Sequence, residues 1–502
     1  MIVLTCCKKR GFVLLKIDRD CIIRAMSRVL KSASFYAFLL SFIYWGYLLY
    51  ASEMTIQYDS INYEKMGRLL AQDQWIEYFK TGPNREPVYP LLVSISMKIA
   101  DLFVVSYQKI LAAFQILILF FTQVLSLKIL KRLHISKIWC AFTTFYIGIS
   151  PAMVNSALSL YSEIAVYPFL LGIILFATAA WQSLCAETPG YKILPYATGF
   201  ALCFILSTLT KAVFELIFPI FLIPFIIVTL RSLPRKNFSA LKNSLMFLAT
   251  ALIIFYSAIS GYKWLNKTYN GQFVITDRGA WALYGNTDRR MATLTWKRFF
   301  VALTYVPGEG VCRRLFSQEE CSFWSFRESD ARGFAKLNEF NQKGTDGNEM
   351  NKQLIKLSLQ KIGQNPAQYF LFMGLEGLKM FFWESTQIGF VAYPDWLQRL
   401  FEFDLFKDGL RLAIFLLTFG SVTYSIVYIS RNRRVLADAQ FQNQQSIGVL
   451  FFVLLMIFVY TGLHSFFFTL TRYSLPIAPL YLVTIAFAAE HILPASKMLK
   501  RV

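Results

Sequence analysis

The sequence predicts an all-α polytopic membrane protein with about ten transmembrane helices, additional interfacial helices and a mixed extracytoplasmic region. Of its 502 residues, 56% are hydrophobic and only 16% are charged, and the mean hydropathy is +0.46. A soluble domain of this size would carry roughly a quarter of its residues as charges to cover its surface. Apolar runs also recur at about the 20-residue length that a helix needs to cross a bilayer core. The apolar surplus is therefore expected to face lipid.

Ten apolar runs have the length and composition of transmembrane helices. In chain order they lie near 34–51, 108–127, 138–154, 164–182, 193–210, 212–230, 244–263, 409–430, 447–466 and 474–493. Two further apolar segments, 88–105 and 367–390, are interrupted by charged residues. We expect these two to lie in the membrane interface with their charges toward water. The sequence leaves open whether either of them crosses.

The net charge of +21 is explained by membrane orientation, and no nucleic-acid partner is expected. The basic residues concentrate between apolar runs, as the positive-inside rule predicts for cytoplasmic loops. With the N-terminus inside, the cytoplasmic clusters are Lys128/Lys131/Arg132/Lys137, Arg231/Arg235/Lys236/Lys242, Arg431/Arg433/Arg434 and Lys497/Lys500/Arg501. No small-residue cleavage site follows the first run, so this run is predicted to be an anchor and not a signal peptide.

The predicted organisation has four parts. They are a cytoplasmic basic tail (1–33), an N-terminal transmembrane module (34–263) whose first outer loop is 52–107, an extracytoplasmic region (264–408) that contains the interfacial helix 367–390, and C-terminal transmembrane helices (409–502). The third part opens with a predicted strand, Gln272–Thr276. It also contains Cys312 and Cys321, which can form a disulfide if the compartment is oxidising. Four of its tryptophans, Trp281, Trp296, Trp324 and Trp383, can stack on sugar faces.

Two acidic residues on the predicted outer side are candidates for chemistry, because charges near a bilayer are costly. Asp59, in the run Tyr58-Asp59-Ser60, can accept a proton from an attacking hydroxyl or amine. Its structural alternative is a solvated helix N-cap. Glu163 stands between apolar runs and therefore needs a partner or a role. Its alternative is a hydrogen bond to a neighbouring helix.

Three basic residues stand on the same predicted side, against the positive-inside bias. Arg85 adjoins Glu86 just before segment 88–105, Lys211 separates two apolar helices, and Arg472 precedes the last run. Each can bind a lipid phosphate, Arg through its planar fork and Lys as a point charge. The structural alternatives are pairing of Arg85 with Glu86, snorkelling of Lys211 and a structural ion pair for Arg472.

Several common catalytic motifs are missing from the sequence. There is no Walker loop, GxSxG elbow or HExxH motif, and the three histidines cannot supply a His-rich metal site. No cofactor is assigned, and a divalent metal requirement stays open because no clear DxD pair is present.

Four motifs, in this order along the chain, resemble the integral-membrane glycosyltransferases of the GT-C fold. They are Tyr58-Asp59-Ser60-x-x-Tyr63, Arg85-x-Pro87-x-Tyr89-Pro90, Tyr161-Ser162-Glu163 and Arg472-Tyr473-x-x-Pro476-x-x-Pro479. The closest branch contains the dolichyl-phosphate-mannose protein O-mannosyltransferases and the bacterial aminoarabinose transferases that modify lipid A. The sequence departs from the family at Lys211, where many relatives have Arg followed by Pro, and at Glu86, where relatives usually have an uncharged residue.

The resemblance implies a hexosyl- or pentosyltransferase that uses a polyprenyl- or dolichyl-phosphate sugar and transfers the sugar with inversion to an extracytoplasmic lipid, glycan or protein. It implies that Asp59 is the general base and that Glu163 orients a substrate. Arg85, Lys211 and Arg472 would bind the donor phosphate, and the supporting residues would be Tyr58, Tyr89, Glu86 and Tyr473. A bacterial inner membrane, with the active site on the extracytoplasmic side, is preferred on the same resemblance.

Two functions from other classes compete with this interpretation. A polysaccharide or lipid transporter or flippase should have internal repeats and helices broken near the midplane, and the sequence contains no repeat. A non-catalytic membrane scaffold would leave the charged residues on the outer side without a role.

Overall fold

The computed structural model describes residues 33–82, 84–185, 190–234, 238–386, 389–432 and 441–493. The predicted basic tail, apart from Ala33, lies outside the described residues, as do Arg235, Lys236, Arg433, Arg434 and the cluster Lys497/Lys500/Arg501. Within the described residues the chain is almost entirely helical, which confirms the prediction of an all-α polytopic membrane protein.

The first half of the chain contains eleven of the α-helices in the described residues. They are α1 (Ala33–Ala51), α2 (Asp59–Ala71), α3 (Trp75–Lys80), α4 (Val88–Phe103), α5 (Tyr107–Arg132), α6 (Lys137–Ile149), α7 (Pro151–Leu158), α8 (Glu163–Cys185), α9 (Leu194–Thr208), α10 (Phe214–Ser232) and α11 (Phe238–Asn270). A short 3₁₀ turn, Gly190–Lys192, precedes α9.

The second half begins with a group of shorter helices and ends with long apolar ones. They are α12 (Arg278–Arg290), α13 (Trp296–Tyr305), α14 (Glu309–Arg313), α15 (Gln318–Ser322), α16 (Phe326–Gln342), α17 (Gly347–Gln364), α18 (Pro366–Leu378), α19 (Asp395–Glu402), α20 (Asp404–Arg431), α21 (Phe441–Phe467) and α22 (Ala478–Ile492). Two 3₁₀ segments, Lys379–Phe381 and Thr471–Ile477, follow α18 and precede α22.

Eight helices in the described residues are long and apolar enough to cross a membrane. They are α1, α5, α8, α10, α11, α20, α21, and α22 together with its preceding 3₁₀ turn. The predicted span 138–154 is instead divided into α6 and α7, because Ser150 leaves the helical conformation and Pro151 begins a new helix. The predicted span 193–210 corresponds to α9, which is apolar but has only 15 residues.

Phenylalanine packing holds the centre of the bundle together. Phe200 of α9, Phe218 and Phe225 of α10, and Phe247 and Phe255 of α11 are all fully buried. Phe218 stacks on Phe255 with ring centroids 3.8 Å apart, and Phe225 stacks on Phe247 at 4.1 Å. Such aromatic pairs add about 0.5–1.5 kcal/mol beyond the area that they bury. The abundance of Phe in the sequence therefore reflects helix packing as well as exposure to lipid.

The predicted strand Gln272–Thr276 is wrong. These residues form an irregular segment between α11 and α12. Asn266 Nδ2 donates to the Val274 carbonyl at 2.7 Å, so a side chain occupies an acceptor that a partner strand would have used. The strands in the described residues are β1 (Glu53–Met54) and β2 (Val391–Ala392), which pair antiparallel. In its described residues, the extracytoplasmic region 264–408 is thus helical apart from loops and the short strand β2. Strand β2 pairs with β1, which follows α1.

Residues on either side of α4 contact the C-terminal end of α1 or the segment that follows it. Arg85, just before α4, donates to Asp59 at 2.5 Å, and Asp59 starts the helix that follows β1. Beyond the other end of α4, Lys109 Nζ donates to the carbonyls of Leu49 and Ser52 at 2.7 and 2.8 Å. The segments before and after α4 therefore lie at the end of the bundle where α1 ends.

The segment that follows α18 contacts this same end of the bundle. The Glu384 carboxylate accepts from the Tyr146 and Ser150 hydroxyls, each at 2.7 Å, and from the Ala152 N–H at 2.8 Å. A few residues later, β2 pairs with β1. The connecting segments 52–59, 149–163 (which includes α7), 208–214 and 464–473 lie at one end of the bundle, because Lys211 pairs with Glu163 and Arg472 with Asp59. We call this end the Asp59 end.

Candidate functional site

The five charged residues singled out in the sequence as catalytic or phosphate-binding come together at one cavity of about 370 Å³ at the Asp59 end, which we call the first cavity. They arrive from separate elements, because each stands at a helix terminus or in a loop at this end. Its lining includes Asp59, Arg85, Glu163, Lys211 and Arg472, together with Tyr63, Glu86, Tyr161, Arg278, Tyr460, His464 and Tyr473. The sequence therefore identified a spatial cluster as well as a set of unusual residues.

Asp59 bridges two arginines that are far apart in the sequence. Its Oδ1 accepts from Arg85 and its Oδ2 from Arg472, each at 2.5 Å. Arg85 is buried and also lies over the Tyr63 ring. Burial alone would raise the pKa of Asp59, but the Arg85 and Arg472 guanidiniums outweigh burial and hold this pKa well below its ordinary value. Asp59 is consequently ionised, and it is a weak base while both guanidiniums hold it.

Glu163 and Lys211 form a second ion pair in the first cavity. Lys211 Nζ donates to Glu163 Oε1 at 3.0 Å. Glu163 is the first residue of α8, where the helix dipole stabilises a carboxylate. Its other oxygen, Oε2, is buried and has no hydrogen-bond partner in the described residues. A buried carboxylate oxygen without a partner in a cavity wall is available to a ligand.

Glu86 supports the site and does not pair with its neighbour Arg85. Glu86 Oε1 accepts from the Ala212 N–H at 2.9 Å, so it fixes the turn that carries Lys211 between α9 and α10. The alternative pairing of Arg85 with Glu86 is therefore wrong. The N-cap alternative for Asp59 is also wrong, because Asp59 lies inside the first turn of α2 and Tyr58 precedes it.

The three tyrosines expected to support the site have different positions. Tyr473 lines the first cavity, and its ring lies 5.7 Å from the Arg472 guanidinium. Tyr89 is fully buried and donates to Gln115 Oε1 at 2.7 Å. It packs edge-on against Tyr63, which lines the first cavity, so Tyr89 supports the cavity wall without lining it. Tyr58 has a left-handed backbone, with φ 51°, and its exposed ring stacks on Phe390.

A second cavity, of about 790 Å³, adjoins the first. Both cavities have Asp59, Tyr161, Arg278, Arg472 and Tyr473 in their walls, together with Ala282 and Phe468. The remaining lining of the second cavity is Tyr58, Trp281, Phe326, Arg327, Asp330, Ser385, Phe390, Leu470 and Thr471. Asp59 and Arg472 therefore stand where two separate chambers meet.

The sequence did not indicate Arg278, Arg327 or Asp330. All three lie in the region of ordinary soluble composition, where charged residues are common and carry no signal. Burial raises the pKa of Asp330 to about 6, although Arg278 opposes the shift. Of the four outer tryptophans, Trp281 lines the second cavity, whereas Trp324 and Trp383 are buried in packing contacts and Trp296 is exposed.

A buried charge cluster fastens this outer helical region to the bundle. Glu376 of α18 accepts from Arg289 and from Arg290, whose Nε lies 2.9 Å from Oε2, and it pairs with Lys379 at 3.4 Å. Arg290 also donates to the Ser465 carbonyl at 2.6 Å, at the end of α21. The cluster thereby fixes the chain that leads from α21 to Arg472.

The described residues contain no group of three or more His, Cys, Asp or Glu side chains arranged to hold a metal ion. Cys312 and Cys321 are joined by a disulfide. No family model, no curated protein and no solved structure matches this chain.

Proposed function

We propose that the chain is a membrane glycosyltransferase that moves a sugar from a polyprenyl phosphate to an acceptor in the cavity pair at the Asp59 end. The observation that carries this proposal is the composition of the first cavity. Its lining contains four cations, Arg85, Lys211, Arg472 and Arg278. It also contains apolar side chains of α10, of α21 and of the turn before α10, namely Val213, Leu216, Leu463 and Phe467. Such a chamber suits a phosphate whose hydrocarbon tail stays in lipid.

The phosphate would be bound by cations that exchange their carboxylate partners for phosphate oxygens. Arg85, Arg472 and Lys211 already pair with carboxylates, whereas Arg278 has no ion-pair partner within 4 Å among the described residues. We infer that Arg278 makes the first contact with the phosphate and that the Arg85 and Arg472 forks then turn from Asp59 toward it. The guanidinium fork suits phosphate oxygens, and bonds to them are charge-assisted.

This exchange would also activate Asp59. When a guanidinium leaves Asp59 for the phosphate, the carboxylate loses part of its charge stabilisation and becomes a stronger base. The acceptor hydroxyl oxygen then attacks the anomeric carbon, and its proton goes to Asp59. The bond between the anomeric carbon and the phosphate oxygen breaks, and its electron pair leaves on polyprenyl phosphate. The cations stabilise the charge that develops on this leaving group.

We further propose a GT-C-like arrangement of ten membrane crossings. The bent pair α6 and α7 and the short α9 would complete the eight longer helices, and α4 and the segment 367–390 would stay at one surface. The proposed extracytoplasmic location of the Asp59 end agrees with the disulfide Cys312–Cys321, because disulfides persist in oxidising compartments. A bacterial inner membrane is the proposed setting.

Transfer of a labelled sugar tests this function. Purified wild-type protein and the Asp59→Asn variant would be incubated with a labelled polyprenyl-phospho-sugar and a cell-envelope extract. We expect transfer by the wild type and a loss of at least about 100-fold in the variant, which is within the range of general base catalysis. Asp73→Asn is a matched control, because Asp73 pairs with Lys98 on an exposed surface outside both cavities. Full activity of Asp59→Asn would refute the role of Asp59 as the general base. Binding and release of intact donor, with no sugar transferred to any acceptor, would favour a transporter.

A further inference from the structure

We propose that the second cavity binds a sugar ring of the acceptor, with Trp281 and the Tyr58–Phe390 pair against the faces of the ring and Asp330 and Arg327 bound to its hydroxyls. This inference rests on the proposed glycosyltransferase function and specifies the class of acceptor. The acceptor is accordingly a glycan that approaches from the aqueous side.

The geometry of the two cavities favours an acceptor in the second one. An inverting displacement requires the nucleophile and the leaving group on opposite faces of the reacting carbon. Of the four proposed phosphate-binding cations, Lys211 and Arg85 line only the first cavity, whereas Arg278 and Arg472 stand, like Asp59, in the walls of both. A donor seated in the first cavity would therefore present its anomeric carbon toward the second cavity. An acceptor hydroxyl in the second cavity would lie on the side of the base.

The lining of the second cavity combines flat aromatic faces with charged planar groups. The Trp281 ring is held by stacking on Phe334, with centroids 4.5 Å apart, and Tyr58 stacks on Phe390 at 5.4 Å. Rigid aromatic faces suit the C–H faces of a sugar ring, and planar carboxylates and guanidiniums suit adjacent hydroxyls. The charged side chains of Arg327 and Asp330 in the same lining favour a ring that carries hydroxyls over an acyl chain.

Two charged groups of this wall, Arg327 and Asp330, have no side-chain hydrogen-bond or ion-pair partner among the described residues. The charged groups that act on Asp330 are Arg278, Asp59, Arg289 and Arg472, and none of them bonds to it. A half-buried carboxylate of this kind is costly unless a ligand bonds to it.

The wall that carries Trp281 and Asp330 is formed by two closely packed helices. A Cβ atom on Gly285 of α12 would collide with the Ser329 carbonyl of α16, and one on Gly333 would lie 2.7 Å from the Trp281 carbonyl. The two glycines therefore let α12 and α16 approach closely. This approach places Trp281 and Asp330, which belong to different helices, on one cavity wall. The exposed side chains of Tyr58 and Phe326 then mark the mouth of the cavity toward water.

The test begins with the donor, so that failure of the proposed function is recognised separately. Binding of a labelled polyprenyl-phospho-sugar to the wild type is measured first, and absence of binding would refute the glycosyltransferase function itself. Envelope material from cells that naturally express the chain is then divided into a delipidated, protease-treated glycan fraction, a lipid extract and a protein fraction. We expect label in the glycan fraction. Label only in the lipid or protein fraction would overturn the proposed acceptor class.

Two variants then test the cavity residues with the glycan fraction as the probe. Arg327→Ala and Asp330→Asn should each raise the acceptor KM about 10- to 100-fold, as expected for the loss of a charged hydrogen bond, and should leave donor affinity unchanged. Arg327 is exposed, so its variant should fold normally. Lys343→Ala is the matched control, because it removes a cation that directly follows the same helix and lines neither cavity. An unchanged acceptor KM in both variants would overturn the proposal.

Discussion

Replacing Glu376 with glutamine should release the outer helical region from the bundle. Glu376 is 3% exposed and faces three cations, Arg289, Arg290 and Lys379. Burial would raise its pKa, but the two guanidiniums hold the pKa far below its ordinary value. The side-chain amide introduced by Glu376→Gln can accept from one arginine, but its NH₂ group would face the other donors. Three buried cations would then lack a counter-charge.

The magnitude follows from the contacts. Each charge-assisted hydrogen bond contributes about 1.5–3 kcal/mol, and removing one partner of a buried ion pair costs about 3–5 kcal/mol. We therefore expect Glu376→Gln to lower the opening free energy of α12 by about 3–5 kcal/mol. This change corresponds to a loss of hydrogen-exchange protection of about 100- to 5000-fold in that helix.

Hydrogen exchange read by mass spectrometry in detergent measures this effect helix by helix. Peptides from α12 should lose protection, while peptides from α8 in the bundle core should keep it. Glu320→Gln serves as the control, because Glu320 pairs with Lys297 on the surface and glutamine is also accepted in its capping box. If hydrogen-exchange protection of α12 in Glu376→Gln stays within about threefold of wild type, the Glu376 charge cluster does not fasten the outer helical region to the bundle.

Three further predictions concern the cavity walls. Gly285→Ala should separate α12 from α16 and raise the acceptor KM, which steady-state kinetics would detect; an unchanged KM would contradict the close approach. Because burial raises the pKa of Asp330 to about 6, its carboxylate forms as the pH rises through 6, so the acceptor KM should fall over that interval and Asp330→Asn should flatten the profile. Because the pKa of Asp330 is higher in the folded than in the unfolded protein, Asp330 contributes stability below its unfolded pKa, and this stability is lost as the pH rises through 6. Glu163→Gln should destabilise the protein by leaving Lys211 unpaired, and Glu163→Gln/Lys211→Met should recover most of that loss but not donor binding; additive unfolding free energies in this double-mutant cycle would show that the pair does not couple.

The sequence predicted the bundle and five of the charged residues around the first cavity for one physical reason. Charges among apolar runs are costly and therefore stand out, as Asp59, Glu163 and Lys211 do. Their pairing was not predictable, because Arg85 bonds to Asp59, 26 residues away, and not to the adjacent Glu86. Tertiary packing decides such pairs.

The outer region was predicted less well because its residues carry weaker signals. In a segment of soluble composition, charged side chains such as Arg278 and Asp330 have little free-energy cost. Nothing in the sequence therefore distinguishes them from ordinary surface residues. The strand prediction at Gln272–Thr276 failed because a short β-pattern needs a partner strand. In the structure, the Asn266 side chain occupies one of its acceptors.

The most direct test of the central claim is the affinity of the purified wild-type chain for a polyprenyl phosphate compared with the polyprenyl alcohol of the same length. The two ligands share the hydrocarbon tail, so their difference reports the cations of the first cavity. If this cavity binds a lipid phosphate, the phosphate should bind at least about tenfold more tightly, in line with charge-assisted hydrogen bonds, and Arg278→Ala should reduce that preference. Equal affinities for phosphate and alcohol would contradict the account.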